Sequence, residues 1–207
     1  MSGAGHPSGE ELNPAEVTEA RQAASLILLR DSDAGAEVLL VQRNPEQRFM
    51  GGAWVFPGGA VHARQDADEA AAAVRELEEE AGIALREDTE LVPFSRWITP
   101  EEVKVRFDTW FFAAEAPAGA EPRPDGGECV DARWLTPAAA LATHAQDELA
   151  LVFPTIKHLE LLSETGSVEE TLAAARARPV TPIMPKVAIL EGAAQVLLPG
   201  DAGYDYA

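Results

Sequence analysis

Four glutamates stand close together in RELEEEAGI, residues 75–83, near the end of a segment with helical character. On a helix that turns by roughly 100° per residue, Glu76, Glu79 and Glu80 share one edge beside the apolar stripe, whereas Glu78 lies on the other flank. The helix dipole disfavours anions at this end. A hard divalent cation prefers clustered carboxylate oxygens. The pattern therefore predicts a metal-binding edge, with Glu78 as a solvated neighbour.

The residues around this edge resemble the Nudix box, G-x5-E-x7-R-E-U-x-E-E-x-G-U, in which U is an aliphatic residue. RELEEEAGI matches the second half of the box at every fixed position, and FPGG (56–59) supplies its entry, with Gly59 as the first box glycine. The resemblance implies an α/β protein with the Nudix fold, a mixed β-sheet sandwiched between helices with extra C-terminal helices. It also implies a metal-dependent hydrolase that cleaves a diphosphate linkage.

The resemblance assigns a metal site to the box. Glu76, Glu79 and Glu80 would hold Mg²⁺ or Mn²⁺ together with the backbone carbonyl of Gly58. A glycine at that position lets the chain turn tightly and approach the metal. The competing interpretation of the glutamates is a solvated helix face.

The resemblance also implies catalytic roles. Arg75 would orient Glu79 or a loop carbonyl. The general base would be a box glutamate, Glu76 or Glu79, or a glutamate on a distant loop. Glu128, which ends the Gly/Pro-rich loop 117–128, is the candidate on such a loop, either as the base or as an outer metal ligand. Its alternative role is to keep that loop soluble.

One part of the box departs from the pattern. The first box glycine and the box arginine are 16 positions apart, where the box has 14. The early glutamate of the box would fall on Ala67. Asp66, Asp68 or Glu69 could replace it, and the sequence does not choose among them.

A second motif concerns the substrate. LLVQRNPEQRFMGGAWVFPGG (39–59) is similar to the L-L-T-x-R-[SA]-x3-R-x3-G-x3-F-P-G-G motif of coenzyme A-type Nudix hydrolases, with Val41 and Asn44 as departures. SRWITPEEVKVRFDTWFFAA (95–114) resembles a stretch of mitochondrial and peroxisomal coenzyme A diphosphatases and their bacterial cousins. The resemblance favours coenzyme A or an acyl-coenzyme A as the substrate. The alternatives are ADP-ribose, NADH or another nucleoside diphosphate derivative, and a catalytically silent Nudix-fold binding protein.

The charge of the chain bears on phosphate binding. With 16 basic and 35 acidic residues, the formal charge is −19, which repels nucleic acid, anionic membranes and free phosphate compounds. A phosphate ester substrate therefore needs local cations. Arg43 and Arg48 are the predicted phosphate ligands because a guanidinium binds phosphate in a bidentate manner. Arg106 is a further candidate, and surface ion pairing is the alternative.

The elements that must position these residues follow from periodicity and turn residues. Strands with one helix between them, followed by further helices, favour a mixed α/β sandwich over a doubly wound sheet. The predicted strands are 22–30 and 38–43 (a hairpin), 54–56, 90–99, 106–116 and 129–135, with a late hairpin in KVAIL and QVLLPG. The predicted helices are 66–81, ending at Gly82, then TPAAALAT with Thr136 as N-cap, 146–164 and 167–177.

These elements divide into a flexible lead-in (1–19), a Nudix hydrolase domain (20–145), a helical extension packed on it (146–198) and a tail (199–207). Cys129 is the only cysteine, which favours a cytoplasmic setting. The apolar runs are too short to span a bilayer. The expected partner is a small-molecule substrate, and the apolar C-terminal third could form a homodimer interface.

Overall fold

The computed structural model describes residues 17–190 and 193–206. The strands are β1 (Arg21–Ser32), β2 (Gly35–Arg43), β3 (Trp54–Val55), β4 (Gly58–Ala60), β5 (Val92–Ile98), β6 (Phe107–Glu115), β7 (Cys129–Leu135), β8 (Pro182–Ile183), β9 (Lys186–Leu190) and β10 (Ala193–Leu197). The helices are α1 (Glu69–Ala81), α2 (Pro137–His144), α3 (Phe153–Leu162) and α4 (Val168–Arg176), with a short 3-10 turn at Tyr204–Tyr206.

The main sheet is mixed and centred on β1. Its strands run in the order β3-β2-β1-β6-β5-β8, with β4 added to β1 and β7 added to β2. β1 pairs with β6 in parallel along most of its length, and with β2 in the predicted antiparallel hairpin, which is confirmed. On the hairpin side, β1 is shared between two partners, because residues 23–25 pair with β4 and residues 29–32 pair with β2.

Helices cover both faces of this sheet. Successive side chains of β1 point to opposite faces, so Leu26 and Leu28 pack with α1 while Ile27 and Leu29 pack in the core that includes α2, α3 and α4. A central strand buried on both faces needs a continuous apolar run, which the sequence supplies in 26–29. The predicted arrangement, a mixed sheet between layers of helices, is confirmed.

The glutamate helix begins three residues later than predicted. Asp68 is in extended backbone and its carboxylate accepts a hydrogen bond from the amide of Ala71 at 2.8 Å, so it is the N-cap of α1. At the other end Gly82 has φ 63°, and its amide donates to the carbonyl of Glu78 at 3.0 Å. The predicted helix end at Gly82 is confirmed, and the left-handed backbone there explains the glycine.

The predicted helix 146–164 is wrong in its first half. The amide of Trp54 donates to the carbonyl of Ala150 at 2.8 Å, and Leu151 forms a β-bridge with Trp54. This extended pairing buries Leu149 and Leu151 at the sheet edge, so α3 begins only at Phe153. The late hairpin is confirmed as β9 and β10, whereas the short strands β4 and β8 were not predicted.

Two further observations bear on the predicted organisation. Most of the proposed lead-in, residues 1–16, lies outside the described residues. No helix in the described ranges has both the length and the apolar character needed to cross a bilayer. The boundary between a Nudix domain and a C-terminal extension stays a prediction, although α4 contributes buried side chains to the same core as the central sheet.

A buried histidine lies in the middle of this core. The Nε2 atom of His158 is 2.6 Å from the hydroxyl of Ser95. Burial lowers the pKa of His158 to about 3, because the apolar surroundings disfavour the charged ring. The ring neighbours four aromatic side chains: Phe56, Phe94, Trp97 and Phe111.

The neutral state of His158 predicts a pH-dependent contribution to stability. Between about pH 6.5 and pH 3 the unfolded chain binds a proton at this position and the folded chain does not, so folding weakens by about 1.4 kcal/mol per unit of falling pH. His158→Gln removes this dependence. We therefore expect the difference in unfolding free energy between wild type and His158→Gln to shrink as the pH falls from 6 to 4, in urea titrations. Titrating carboxylates are common to both proteins, and a difference independent of pH would contradict the expectation.

Candidate active site

A cavity of about 470 Å³ brings several of the predicted residues together. Glu76 of α1, Gly58 and Gly59 of β4, Arg43 at the end of β2 and Glu128 all line it. The shared pairing of β1 places these groups together, because β4 replaces β2 beside the first half of β1 and leads the chain towards α1.

Glu76 lies against the backbone of β4. Its side chain is buried, and burial raises its pKa above the usual range despite a hydrogen bond from Arg75. A β carbon added to Gly59 would lie 2.6 Å from the carboxyl carbon of Glu76. The glycine at position 59 is therefore required by the close approach of the carboxylate to the strand.

Glu80 is the most deeply buried of the box acids. Its Oε2 atom accepts a hydrogen bond from the amide of Gly58 at 2.9 Å. Burial raises the pKa of Glu80 to about 7, assisted by the negative charge of Glu76. Burial also raises the pKa of the neighbouring Cys129 thiol well above its ordinary value, so this thiol is inert as a nucleophile.

Glu79 differs from the other two box acids. Its side chain is 58% exposed, and its Oε2 atom lies 2.7 Å from Nη1 of Arg75. Within the described part of the chain, no three His, Cys, Asp or Glu side chains are grouped so that they could hold a metal ion. The predicted set of three glutamates is thus not gathered at one point, because Glu79 faces Arg75 while Glu80 faces the amide of Gly58.

The donor chemistry nevertheless fits a hard divalent cation. The groups present are oxygen ligands, and burial opposes the charge of both Glu76 and Glu80, assisted at Glu80 by the charge of Glu76 and at Glu76 by the charges of Glu79 and Glu128. A bound cation would offset both effects.

Arg75 connects the helix to the loop before it. Its Nη1 atom donates to Glu76 at 2.8 Å as well as to Glu79, and its Nη2 atom donates to the carbonyl of Ala60 at 3.1 Å. The predicted contact to Glu79 is therefore present, and the backbone carbonyl that accepts from Arg75 belongs to Ala60, the last residue of β4, and not to a loop. Asp66 supplies the remaining partner, accepting from Nε at 2.8 Å and from Nη2 at 3.0 Å.

The contact between Asp66 and Arg75 distinguishes the three acidic residues in and directly after the longer loop between β4 and α1. Asp66 binds Arg75, Asp68 caps α1, and Glu69 lies in the first turn of the helix. The hydrogen bond from Arg75 lowers the pKa of Asp66 to about 2. Asp66 also accepts a hydrogen bond from the amide of His62 at 2.7 Å, which closes the loop on itself. Among the three candidates, Asp66 is thus the acid that holds the box arginine.

The three predicted substrate arginines have different positions. Arg43 lines the cavity, with its Nη2 atom 2.6 Å from the side-chain oxygen of Gln47. Arg48 is exposed and does not line the cavity. The predicted role of Arg106 needs correction, because this buried side chain lies outside the cavity lining and donates to the carbonyls of Thr18 at 2.6 Å and Thr99 at 3.1 Å.

Glu128 reaches the cavity because of a turn that the sequence analysis missed. The carboxylate of Asp125 accepts hydrogen bonds from the amides of Gly127, Glu128 and Cys129 at 2.8–3.0 Å. The backbone amide of Asn44 donates to the backbone carbonyl of Glu128 at 2.8 Å. The sequence PDGGE is typical of such a side-chain-closed turn, and this signal could have been used.

Other residues of the cavity were not predicted. Arg21, at the start of β1, adds a second cation to the lining. The late hairpin contributes Val187 and Val196. No local pattern marks these residues, because they are brought to the cavity by strands distant in sequence.

Comparison with known proteins identifies the family. The sequence matches the NUDIX domain family over residues 20–155. The chain belongs to this family. The implied Nudix fold and the interpretation of the chain as an enzyme, a Nudix hydrolase, are thereby confirmed, and the silent alternative is not supported. Nudix hydrolases generally use divalent metal ions.

Solved structures agree with this assignment. A NUDIX hydrolase from Alicyclobacillus acidocaldarius is 26% identical, with a TM-score of 0.71 over 79% of this chain and 100% of that one. The NUDIX domain of NrtR from Shewanella oneidensis, solved with ADP ribose, is 20% identical with a TM-score of 0.55, over 71% and 88%. An Ap4A hydrolase from C. elegans is 22% identical with a TM-score of 0.54, over 70% and 96%. The last two similarities concern the fold alone.

The approach of Gly59 to Glu76 predicts a sensitive position. Gly59→Ala places a methyl group against the carboxylate of Glu76, so we expect the unfolding free energy to fall by about 1–3 kcal/mol. We also expect the rate of diphosphate hydrolysis to fall, because the carboxylate is displaced. Gly166→Ala is the matched control, because a β carbon there would meet Glu170 at an ordinary 3.4 Å. Denaturant unfolding and turnover are compared in both variants. Equal behaviour of the two would contradict the proposed close approach.

The bond between Asp66 and Arg75 predicts a positioning role for Asp66. Asp66→Asn weakens the hydrogen bonds that orient Arg75, which in turn donates to the proposed metal ligands Glu76 and Glu79. We therefore expect the divalent cation concentration for half-maximal hydrolysis to rise by about 10- to 100-fold. Asp88→Asn is the control, since Asp88 pairs with Arg86 at the surface and away from the cavity. A metal activation curve separates this effect from a general loss of stability. An unchanged curve in Asp66→Asn would show that Asp66 has no such role.

Proposed function

We propose that this Nudix hydrolase cleaves the diphosphate linkage of coenzyme A or an acyl-coenzyme A. The observation that carries the proposal is the meeting of Glu76, Glu128 and Arg43 in one cavity, directly beside Glu80 and the glycines of β4. This arrangement offers carboxylate oxygens for a cation and a guanidinium for phosphate. A chain with a formal charge of −19 requires both if it is to hold a diphosphate.

Each group has a distinct task in the proposed reaction. Glu76, Glu79, Glu80 and the carbonyl of Gly58 would hold Mg²⁺ or Mn²⁺, which neutralises phosphate charge and activates water when bound. Arg43 binds a phosphate oxygen of the substrate. Arg75 positions Glu76 and Glu79 by donating hydrogen bonds to both carboxylates.

The proposed chemistry is attack of water on phosphorus. The water oxygen forms a bond to one phosphorus atom and its proton passes to a carboxylate, while the bond from that phosphorus to the bridging oxygen breaks. Glu128 is a candidate base because it lines the cavity on a turn held by Asp125. A box glutamate, Glu76 or Glu79, is the alternative. With coenzyme A the products are phosphopantetheine and adenosine 3′,5′-bisphosphate.

The choice of substrate rests on the segment that joins β2 to β4. Its match to the coenzyme A-type motif includes Arg43, and the same segment contributes Phe49 and Met50 to the cavity wall. ADP-ribose or NADH is the alternative, since the NrtR domain of the same fold was solved with ADP ribose. A cytoplasmic setting and a homodimer stay predictions.

A hydrolysis panel tests the substrate. Coenzyme A, an acyl-coenzyme A, ADP-ribose, NADH and dinucleoside polyphosphates are each incubated with the protein and Mg²⁺ or Mn²⁺, and products are separated by chromatography. We expect the highest kcat/KM for coenzyme A or its thioester. Turnover of ADP-ribose with coenzyme A inert would overturn the substrate assignment.

The same assay tests the residues. Each proposed ligand is removed in turn, with the substitutions Glu76→Gln, Glu79→Gln and Glu80→Gln. We expect each variant to lose more than about 100-fold in activity, because loss of a residue that only hydrogen-bonds to a metal ligand typically costs up to about 100-fold. Glu78→Gln is the matched control, because Glu78 is an exposed neighbour on the same helix. Full activity in Glu79→Gln and Glu80→Gln would reject the metal assignment.

A further inference from the structure

The cavity that contains Glu76 and Glu128 includes a large apolar part. We call this part the apolar arm. It comprises Val103, Val105, Phe153, Pro185, Val187 and Val196. Trp97 supports it, with its ring centroid 6.2 Å from that of Phe153. A charged diphosphate does not bind to an apolar surface. The apolar arm must therefore contact another part of the substrate than the part held by the carboxylates.

The C-terminal hairpin forms one wall of the apolar arm. Val187 of β9 and Val196 of β10 are directly opposite each other in the antiparallel register. Opposed residues present their side chains on the same face of a hairpin. Both line the cavity, so this face of the hairpin is directed at the substrate site.

Exposed apolar side chains are concentrated at this arm. In residues 17–188 and 195–205, four large hydrophobic side chains are clearly exposed: Val17, Val105, Val130 and Val196. Two of them, Val105 at 40% and Val196 at 39%, line the cavity from different segments of the chain. Singly exposed valines are ordinary, but two that face one cavity provide apolar surface for a ligand to bury.

None of the residues that form the apolar arm carries a charge. The charged or titratable lining residues of the whole cavity are Arg21, Arg43, His62, Glu76 and Glu128, and of these Arg21 pairs with Phe107 at the border of the arm. The lining residues from 97–111, 152–155 and the hairpin carry no charge. Burying a polar sugar or a second charged group against this surface would leave polar atoms without partners, which is unfavourable. An uncharged carbon chain has no such cost.

We propose that the apolar arm binds an uncharged carbon chain attached to the diphosphate on the side away from the nucleoside. The C-terminal hairpin thereby selects substrates with an alkyl or acyl portion over those with a second sugar. This inference rests on the proposed diphosphate chemistry of the site, and it disfavours ADP-ribose and NADH, whose second sugar is polar. It also gives the C-terminal third of the chain a task in substrate choice.

The test varies only the length of the chain. Adenosine α,β-methylenediphosphate n-alkyl esters with two, four, six and eight carbons resist cleavage between their phosphorus atoms, so calorimetry with Mg²⁺ or Mn²⁺ gives a Kd for each. Burying a methylene group corresponds to a gain in affinity of up to about fourfold. We expect Kd to fall with every added pair of carbons until the apolar arm is filled.

Variants locate the effect. Val196→Asn and Val105→Asn each add a polar group to the apolar arm at a position that is already about 40% exposed, so the fold tolerates them. We expect both to flatten the dependence of Kd on chain length, with the largest rise in Kd for the eight-carbon ester. Val130→Asn is the matched control, because Val130 is an equally exposed valine on β7 that does not line the cavity.

The outcomes separate this inference from the proposed function. Hydrolysis of the oxygen-bridged esters reports on the diphosphate chemistry, whereas the slope of Kd with chain length reports on the apolar arm. A flat slope in the wild type, or an unchanged slope in Val196→Asn and Val105→Asn, would overturn the inference even if hydrolysis proceeds. A change of mass in light scattering for Val196→Asn with an unchanged slope would instead show that the hairpin is an interface between copies of the chain.

Discussion

The close approach of β4 to its neighbours is the constraint on which the site depends. Gly58 and Gly59 have no side chains, so one lies against β1 and the other against the carboxylate of Glu76. The same backbone segment binds Glu80 through an amide and Arg75 through the carbonyl of Ala60. A side chain at either glycine would move the strand away from the helix, and the buried carboxylates would lose the partners that hold them in place.

The carboxylates of the site are held by donors of different kinds, and their pKa values are shifted in opposite directions. Glu80 is buried and bonded to a neutral amide, so burial dominates and its pKa is raised to about 7. Asp66 receives two hydrogen bonds from Arg75, and its pKa is lowered to about 2. One short helix and its preceding loop thus contain acids that favour opposite protonation states. Arg75 donates to acids of both kinds, Asp66 and Glu76, and burial outweighs its effect only at Glu76.

The cavity joins two environments that lie far apart in the sequence. Its polar part comes from β2, β4 and α1, and from the turn at Asp125 that presents Glu128. Its apolar part comes from the segment around β5 and β6, the start of α3, and the hairpin of β9 and β10. Such a division suits a substrate with a charged centre and an uncharged chain. A strongly acidic protein can bind a phosphate compound here because the cations Arg21 and Arg43 line the same cavity.

The sequence by itself determined the family of the chain, because the spacing of RELEEEAGI and FPGG matches the Nudix box. It also determined the two-sided burial of β1 and the C-terminal end of α1, since a continuous apolar run and a glycine after the helix act locally. Only the tertiary structure decided that Asp66 holds Arg75, that Arg106 binds backbone carbonyls, and that the late hairpin lines the cavity. These outcomes depend on contacts between residues distant in the chain or within an irregular loop, where no periodicity records which partner a side chain will meet.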